Sequence, residues 1–431
     1  MKPSNKQPRA VETPAMSRPE RAMAFAIAAA VAIIPIALWP WADDSSRLPK
    51  ALLLRATAIV VVALAGIGLL WSGRVPWKEW RSDRFVFLAG AIVAWWGISA
   101  VVASNRNLSF PSWLWVVSGA VIAVATYRLA PALRPAALWP LLFAGVVNAA
   151  SCLLSLVLPA SPYWPRAQGR AYGFLGGAHD AGAFLVVPAL VATAAAVIDR
   201  RRRVWWVAAA LLCAAAIVTT RTAGAVVAYA AGAFVLLLLR SVRWAAAVLV
   251  VALVAALALP RSRAELAPLW SGDVIAIDRM SGGRILPFLA AGRMFVQHPL
   301  LGVGPGCFAW EYFPHKIALE GEYPVLLRCM TRDIQFGEAH NDHLQVLAET
   351  GLPGYLLFLA ALAFIAVSSR RAEAAPDDWR GRFARTAGAP LAAAAATLSL
   401  AEFPFEIAAA SLAIVYSAAL CAAWSRNEPI A

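Results

Sequence analysis

Residues 204–239 read VWWVAAALLCAAAIVTTRTAGAVVAYAAGAFVLLLL, an apolar run whose only charge is Arg221. As one helix this run would be about 54 Å long, too long for a single crossing of a hydrocarbon core about 30 Å thick. It would also hold Arg221 near the middle of the bilayer, at a cost of at least ~2.5 kcal/mol. Two spans joined at Thr219-Thr220-Arg221-Thr222 remove both difficulties, because the turn delivers the arginine to the membrane surface. The run therefore reads as a helical hairpin in a membrane.

The rest of the chain follows the same logic. Hydrophobic residues make up 61% of it and charged residues 14%, with a mean hydropathy of +0.67. Soluble domains carry about 25% charged residues, so a soluble globular fold is excluded. Apolar blocks predict twelve spans, near 22–41, 51–71, 84–103, 110–126, 136–158, 181–198, 204–220, 223–239, 242–259, 352–368, 386–401 and 405–424. The expected organisation is a disordered, Pro-rich cytoplasmic tail over 1–19 and nine spans within 20–259. A large outer loop with interfacial helices follows over 260–350, then three spans within 351–425. The first span has no small-x-small cleavage pattern before Asp43, so it reads as an uncleaved helix. No internal repeat stands out.

Basic residues set the orientation. With both termini cytoplasmic, the cytoplasmic segments hold 23 Lys and Arg and the short loops of the other side hold 6. That asymmetry obeys the positive-inside rule. The net charge of +14 is spread over the cytoplasmic loops, as anionic lipid favours, so a nucleic-acid partner is not implied. Cys152, Cys213 and Cys421 fall inside spans and read as packing residues. Cys307 and Cys329 share the outer loop, where a disulfide and two free thiols are equally open.

Three elements put polar groups on the outer side. The first is Arg221, a phosphate clamp or an interfacial anchor. The second is Ser281-Gly282-Gly283-Arg284 at the start of an apolar interfacial helix, followed by HPLLGVGPG at 298–306. No strand precedes Gly302–Gly306 and no Lys-Ser/Thr follows it, so it is not a P-loop; alone it reads as a tight turn. The third is HNDHLQVLAETGLPG at 340–354, which leads into the tenth span. His340 there is either a helix-end residue or a base, since a neutral imidazole can take a proton near pH 7. A metal held by His340, His343 and Glu338 is disfavoured, because no His-Glu-x-x-His or paired cysteines complete a site.

Together these stretches resemble the O-antigen ligase and polymerase superfamily of bacterial surface-glycan assembly. His340-Asn341, Gln345, Glu349, Gly351 and Gly354 follow its C-terminal pattern. Arg284 with 298–306 follows a second block, and Thr220-Arg221-Thr222-Ala223 resembles its Ser-Arg-Gly-Ala turn. The likeness covers about 165–360, and earlier residues by topology alone. Cys307 departs from the pattern where Asn is common, as does His179-Asp180 after Gly176.

The resemblance implies an all-α polytopic protein of about twelve transmembrane helices in the bacterial inner membrane, GT-C-like, with a periplasmic active site. It implies a metal-independent, inverting glycosyltransferase with no cofactor, using a glycan on undecaprenyl diphosphate. His340 would be the catalytic base, while Arg221 and Arg284 would hold the departing diphosphate. Arg170, Gly302 and Gly304 are expected to contact substrate, Arg170 being equally explained as an anchor. The first expectation for the acceptor is lipid A–core, with a second glycan (polymerase) or a protein hydroxyl as alternatives. A polyisoprenoid-lipid transporter is the alternative from another class. Its polar groups would be expected near the midplane in paired halves, a pattern this chain lacks.

Overall fold

The computed structural model describes residues 16–42, 44–73, 77–158, 169–258, 267–371 and 378–426, and these form an all-helical structure. In chain order the main helices are α1 Arg18–Ile33, α2 Arg47–Ser72, α3 Arg84–Val101, α4 Arg106–Leu129 and α5 Trp139–Val157. Next come α6 Ala178–Ile198, α7 Arg203–Thr219, α8 Ala223–Arg240 and α9 Val242–Ala258. The segment before the last helices contains α10 Val274–Met280, α11 Ile285–Gln297 and α12 Phe308–Glu322, and the chain closes with α13 Asp342–Arg370, α14 Trp379–Ala401 and α15 Ala408–Trp424. Each of the twelve apolar blocks overlaps one of these helices. Among the described residues, eight helices are long and apolar enough to cross a membrane: α1 with the turn after it, α2 to α6, α8 and α13. Helices α7, α9 and α15 are apolar but shorter.

Local chemistry explains where the boundaries depart from the expected ones. Helix α1 starts at Arg18 because Ser17 and Glu20 form a capping box around Pro19. The expected tail therefore loses its last residues to this helix, and residues 1–15 lie outside the described residues. Helix α1 also stops at Ile33, well short of 41, as a 3₁₀ turn containing Pro35 takes over. The run at 204–239 divides as expected into α7 and α8, with Thr220, Arg221 and Thr222 between them.

Helix α6 is the hub of the bundle, buried along most of its length and packed on α5, α7, α8, α14 and α15. Small residues make that possible. A Cβ on Gly182 would meet that of Ala225 at 2.9 Å, and one on Gly232 would meet Leu190 at 2.6 Å. Close approach of this kind is how helices associate where lipid removes the hydrophobic drive.

The stretch from α10 to α12 builds a second core from residues including Leu286, Met294, Phe308, Tyr312 and Phe336. Cys307 and Cys329 are buried there as free thiols, so no disulfide joins them. Cys307 is placed to hydrogen-bond the Asn105 carbonyl at 3.4 Å.

This core docks through a break in α13. Gly351 adopts φ 68° and ψ −174°, which interrupts the helix just before Pro353. The break strips the carbonyls of Ala348, Glu349 and Thr350 of their helical partners, and each needs another donor. Val303 N–H donates to Ala348 (3.0 Å), Gly304 N–H to Glu349 (2.9 Å) and Trp95 Nε1 to Thr350 (2.9 Å). In return, Leu352 N–H donates to the Pro299 carbonyl at 2.8 Å. The turn at 302–306 is thus a plug in a broken helix. Gly302 and Gly304, expected to contact substrate, instead spend their amides on His298 and Glu349. A Cβ at Gly302 would lie 2.2 Å from the Glu349 carbonyl carbon, so only glycine allows the approach.

Candidate active site at the hairpin tip

The α7–α8 turn is tightly tied. Arg221 takes a left-handed backbone (φ 52°), an uncommon conformation for a side-chain-bearing residue. Thr220 Oγ1 donates to the Ile217 carbonyl at 2.7 Å and Thr222 Oγ1 to Ala178 at 3.1 Å. Arg170 reaches across from the preceding loop, with Nε donating to the Thr220 carbonyl (2.9 Å) and one terminal nitrogen to Thr222 Oγ1 (3.1 Å). Arg170 therefore clasps the residues on either side of Arg221. The Arg221 side chain is exposed and makes no hydrogen bond or ion pair among the described residues.

One turn into α8, Gly224 lets the hairpin lie on the α14–α15 connection, where its Cβ would meet Ala401 at 2.9 Å and Glu402 at 3.0 Å. Glu402 is buried and joins His179 to Arg284. Its Oε2 lies 2.9 Å from His179 Nδ1, and its Oε1 lies 3.7 Å from the Arg284 guanidinium. Arg284, which precedes α11, also donates to the Ala401 carbonyl. His179 Nε2 is 3.4 Å from Arg170. Because Arg170 can only donate, His179 fits as the tautomer carrying its proton on Nδ1, toward Glu402. Arg170, His179, Glu402 and Arg284 thus form one connected chain beside the Arg221 turn. Three guanidiniums against one buried carboxylate leave this corner with surplus positive charge.

His340 closes the corner. It too has a left-handed backbone (φ 54°), because Asn341 turns extended to cap α13, accepting from Leu344 N–H at 3.0 Å. The Asn341 amide donates to the Leu400 carbonyl, and Asp342 accepts from Phe405 N–H, so the α13 start is sewn to the same connection as Glu402. The His340 ring packs edge-on to Phe403 at 4.8 Å, Phe336 at 5.5 Å and His179 at 6.1 Å. Its Nδ1 is buried with no hydrogen-bond partner among the described residues. Burial, reinforced by the charges of Arg284 and Arg47, pulls the imidazole down to about 3. The ring is therefore neutral at physiological pH.

Several residues that matter here carried no sequence signal of their own. Arg47 forms a two-pronged pair with Asp180, both bonds 3.0 Å, and a third bond to Glu338 at 3.1 Å. Its guanidinium sits over Phe403 at 5.3 Å. Glu338 is thereby committed. His343 points elsewhere, bonded to Tyr355 and the Ala396 carbonyl. The metal grouping of His340, His343 and Glu338 is consequently not assembled.

Residues 208–359 match the family model described as O-antigen ligase. That segment is similar to an O-antigen ligase domain. The chain's resemblance to the O-antigen ligase and polymerase superfamily thus rests on the match as well as on the motifs. Enzymes of this family are glycosyltransferase-like ligases and polymerases. No curated protein matches the chain. The matched segment contains Arg221, Arg284 and His340, whereas Arg170, His179 and Glu402 lie outside it and are joined to the corner by the fold.

Proposed function

We propose that this chain moves a glycan from undecaprenyl diphosphate to an acceptor hydroxyl at the periplasmic face of the bacterial inner membrane, ligating O-antigen to lipid A–core. In this reading the helices make twelve crossings, both termini are cytoplasmic, and the Arg221 turn faces the periplasm. The observation that carries it is a neutral imidazole, its Nδ1 unpartnered among the described residues, beside Arg284 and the Arg170–His179–Glu402 chain at the Arg221 turn, in a protein whose residues 208–359 match O-antigen ligases.

The chemistry follows from charge. The acceptor oxygen attacks the anomeric carbon and passes its proton to His340, while the bond from that carbon to the diphosphate oxygen breaks. The electron pair leaves with the diphosphate, where Arg221 and Arg284 offer the planar donor forks suited to phosphate oxygens. Stabilising charge on the leaving group is the chief means of lowering such a barrier. In-line attack inverts the anomeric centre, and the arginines supply charge that a divalent cation would otherwise bring. Donor binding also helps the base, because a diphosphate beside Arg284 cancels part of the field that depresses His340.

The test is transfer by the purified protein from undecaprenyl-diphosphate oligosaccharide to lipid A–core in EDTA. The expected product is glycosylated lipid A–core with inverted linkage. Elongation of the lipid-linked glycan in place of the core would make the enzyme a polymerase. Transfer to a protein hydroxyl would make it a protein glycosyltransferase. Binding of the lipid diphosphate without turnover on any acceptor would favour a transporter.

A further inference from the structure

On the Arg47 side of Phe403 lies a cavity of about 380 Å³ bordered by Asp44, Arg47, Lys50, Trp115, Asp180 and Glu406. The backbone splits neighbouring residues between this cavity and the arginine corner. His179 bonds Glu402 in the corner, while Asp180 bonds Arg47 here. Within the α14–α15 connection, Glu402 faces Arg284, Phe403 packs on His340, and Glu406 borders the cavity. His340 and Phe403 thus stand between two chemically different compartments.

Nearly every charge in the second compartment is already committed. Lys50 Nζ donates to the carbonyls of Ala37, Ser46 and Phe174 at 2.8–3.0 Å. Asp44 takes the amides of Ser46 and Arg47, and Asp180 takes the Arg47 fork. Glu406 is the exception. Its amide donates to Phe403, yet its carboxylate has no hydrogen-bond partner among the described residues. Glu406 is an exposed residue at the border of the cavity.

The ligand class follows by elimination. An anion would meet the free Glu406 carboxylate beside Asp44 and Asp180, with Lys50 already using all three of its donors. A cation would have Glu406 to draw it, but would find Asp180 already paired with Arg47 and would sit against the charges of Arg47 and Lys50. A neutral, hydroxyl-rich ring meets neither penalty: its O–H groups donate to carboxylate oxygens in strong charge-assisted bonds, and its C–H face can lie on Trp115. The volume is within the range of small-molecule sites. We propose that this cavity is the acceptor-sugar subsite, with Glu406 gripping the sugar hydroxyls. The proposal rests on the glycosyl-transfer reading above. It gives that reaction two sides, with the diphosphate at the arginines, the acceptor at Glu406, and His340 between them.

The experiment uses full-length protein in nanodiscs, with donor and lipid A–core varied independently. Glu406→Gln keeps the size of the side chain and removes its charge. It should raise the acceptor KM by about ten- to a hundredfold, the worth of a hydrogen bond to a charged group, and leave the donor KM unchanged. Glu406→Asp should fall between that variant and the wild type. In saturation-transfer NMR, deacylated core oligosaccharide should give signals with the wild type and with Arg221→Ala and lose them with Glu406→Gln. Unshifted acceptor KM in Glu406→Gln, or core signals that persist in it, overturns the subsite while leaving the reaction standing. Absence of any transfer by the wild type overturns the reaction itself and this inference with it.

Discussion

Gly302→Ala separates a packing role for the 302–306 turn from a substrate role. Gly302 has φ +68°, a conformation that costs an L-residue about 1–2 kcal/mol. The added Cβ would stand 2.2 Å from the Glu349 carbonyl carbon, 2.3 Å from its oxygen and 2.4 Å from Thr350 N. All three are backbone atoms at the break in α13, so no flexible side chain can swing aside. Overpacking of this kind adds roughly 1–3 kcal/mol, which brings the total to about 3 kcal/mol. The strain falls where the turn satisfies the carbonyls of Ala348 and Glu349, on the helical segment that begins beside His340. Thermal unfolding of the purified variant, followed by tryptophan fluorescence, should show a clearly lowered midpoint, and the fraction that remains folded should keep the wild-type donor KM. A normal midpoint with a raised donor KM would refute this reasoning and return Gly302 to the role of a substrate contact.

Glu402→Gln should keep the contact with His179 but lose the charge facing Arg284, lowering kcat about tenfold, the difference between a charge-assisted and a neutral hydrogen bond; steady-state rates check this. The His340 ring, pulled down to about 3, should stay neutral between about pH 5 and 8 in NMR titration of labelled histidine, and undecaprenyl diphosphate should shift its titration upward by cancelling the field of Arg284. In rate profiles the same sign appears as loss of activity on the acid side, with the limb at higher pH once donor is bound. Arg170→Lys should loosen the Arg221 turn, since an ammonium cannot span the Thr220 carbonyl and Thr222 Oγ1 as the guanidinium does. The donor KM should rise several-fold with little change in acceptor KM.

The parts of this protein legible in its sequence are those where the membrane makes polar groups costly. Arg221 had to sit in a turn, because neither the length of 204–239 nor a buried guanidinium suits one helix, and the structure puts a turn there. His340 and Arg284 could be named because they flank apolar helices inside recognisable motifs. Residues that act through distant partners were not legible. His179 and Glu402 are 223 positions apart, and Arg47 meets Glu338 across 291 positions. One signal was nevertheless present: Glu402 and Glu406 are two carboxylates in a short connection between apolar helices, where charge is expensive and usually functional. The Gly302–Gly306 stretch, which alone reads as a tight turn, forms one, and the backbone its glycines approach belongs to the broken helix α13.

Single-turnover transfer from undecaprenyl-diphosphate oligosaccharide is the most direct measure of whether the arginine–imidazole corner does the chemistry. It would compare the wild type with His340→Ala, Arg221→Ala and Arg284→Ala, each first shown to keep the wild-type unfolding midpoint. Each variant should lose about a hundredfold or more of the transfer rate, the usual worth of a positioned base or of charge stabilisation at a leaving group. Near wild-type transfer by folded variants would contradict this mechanism and place the reacting atoms elsewhere in the molecule.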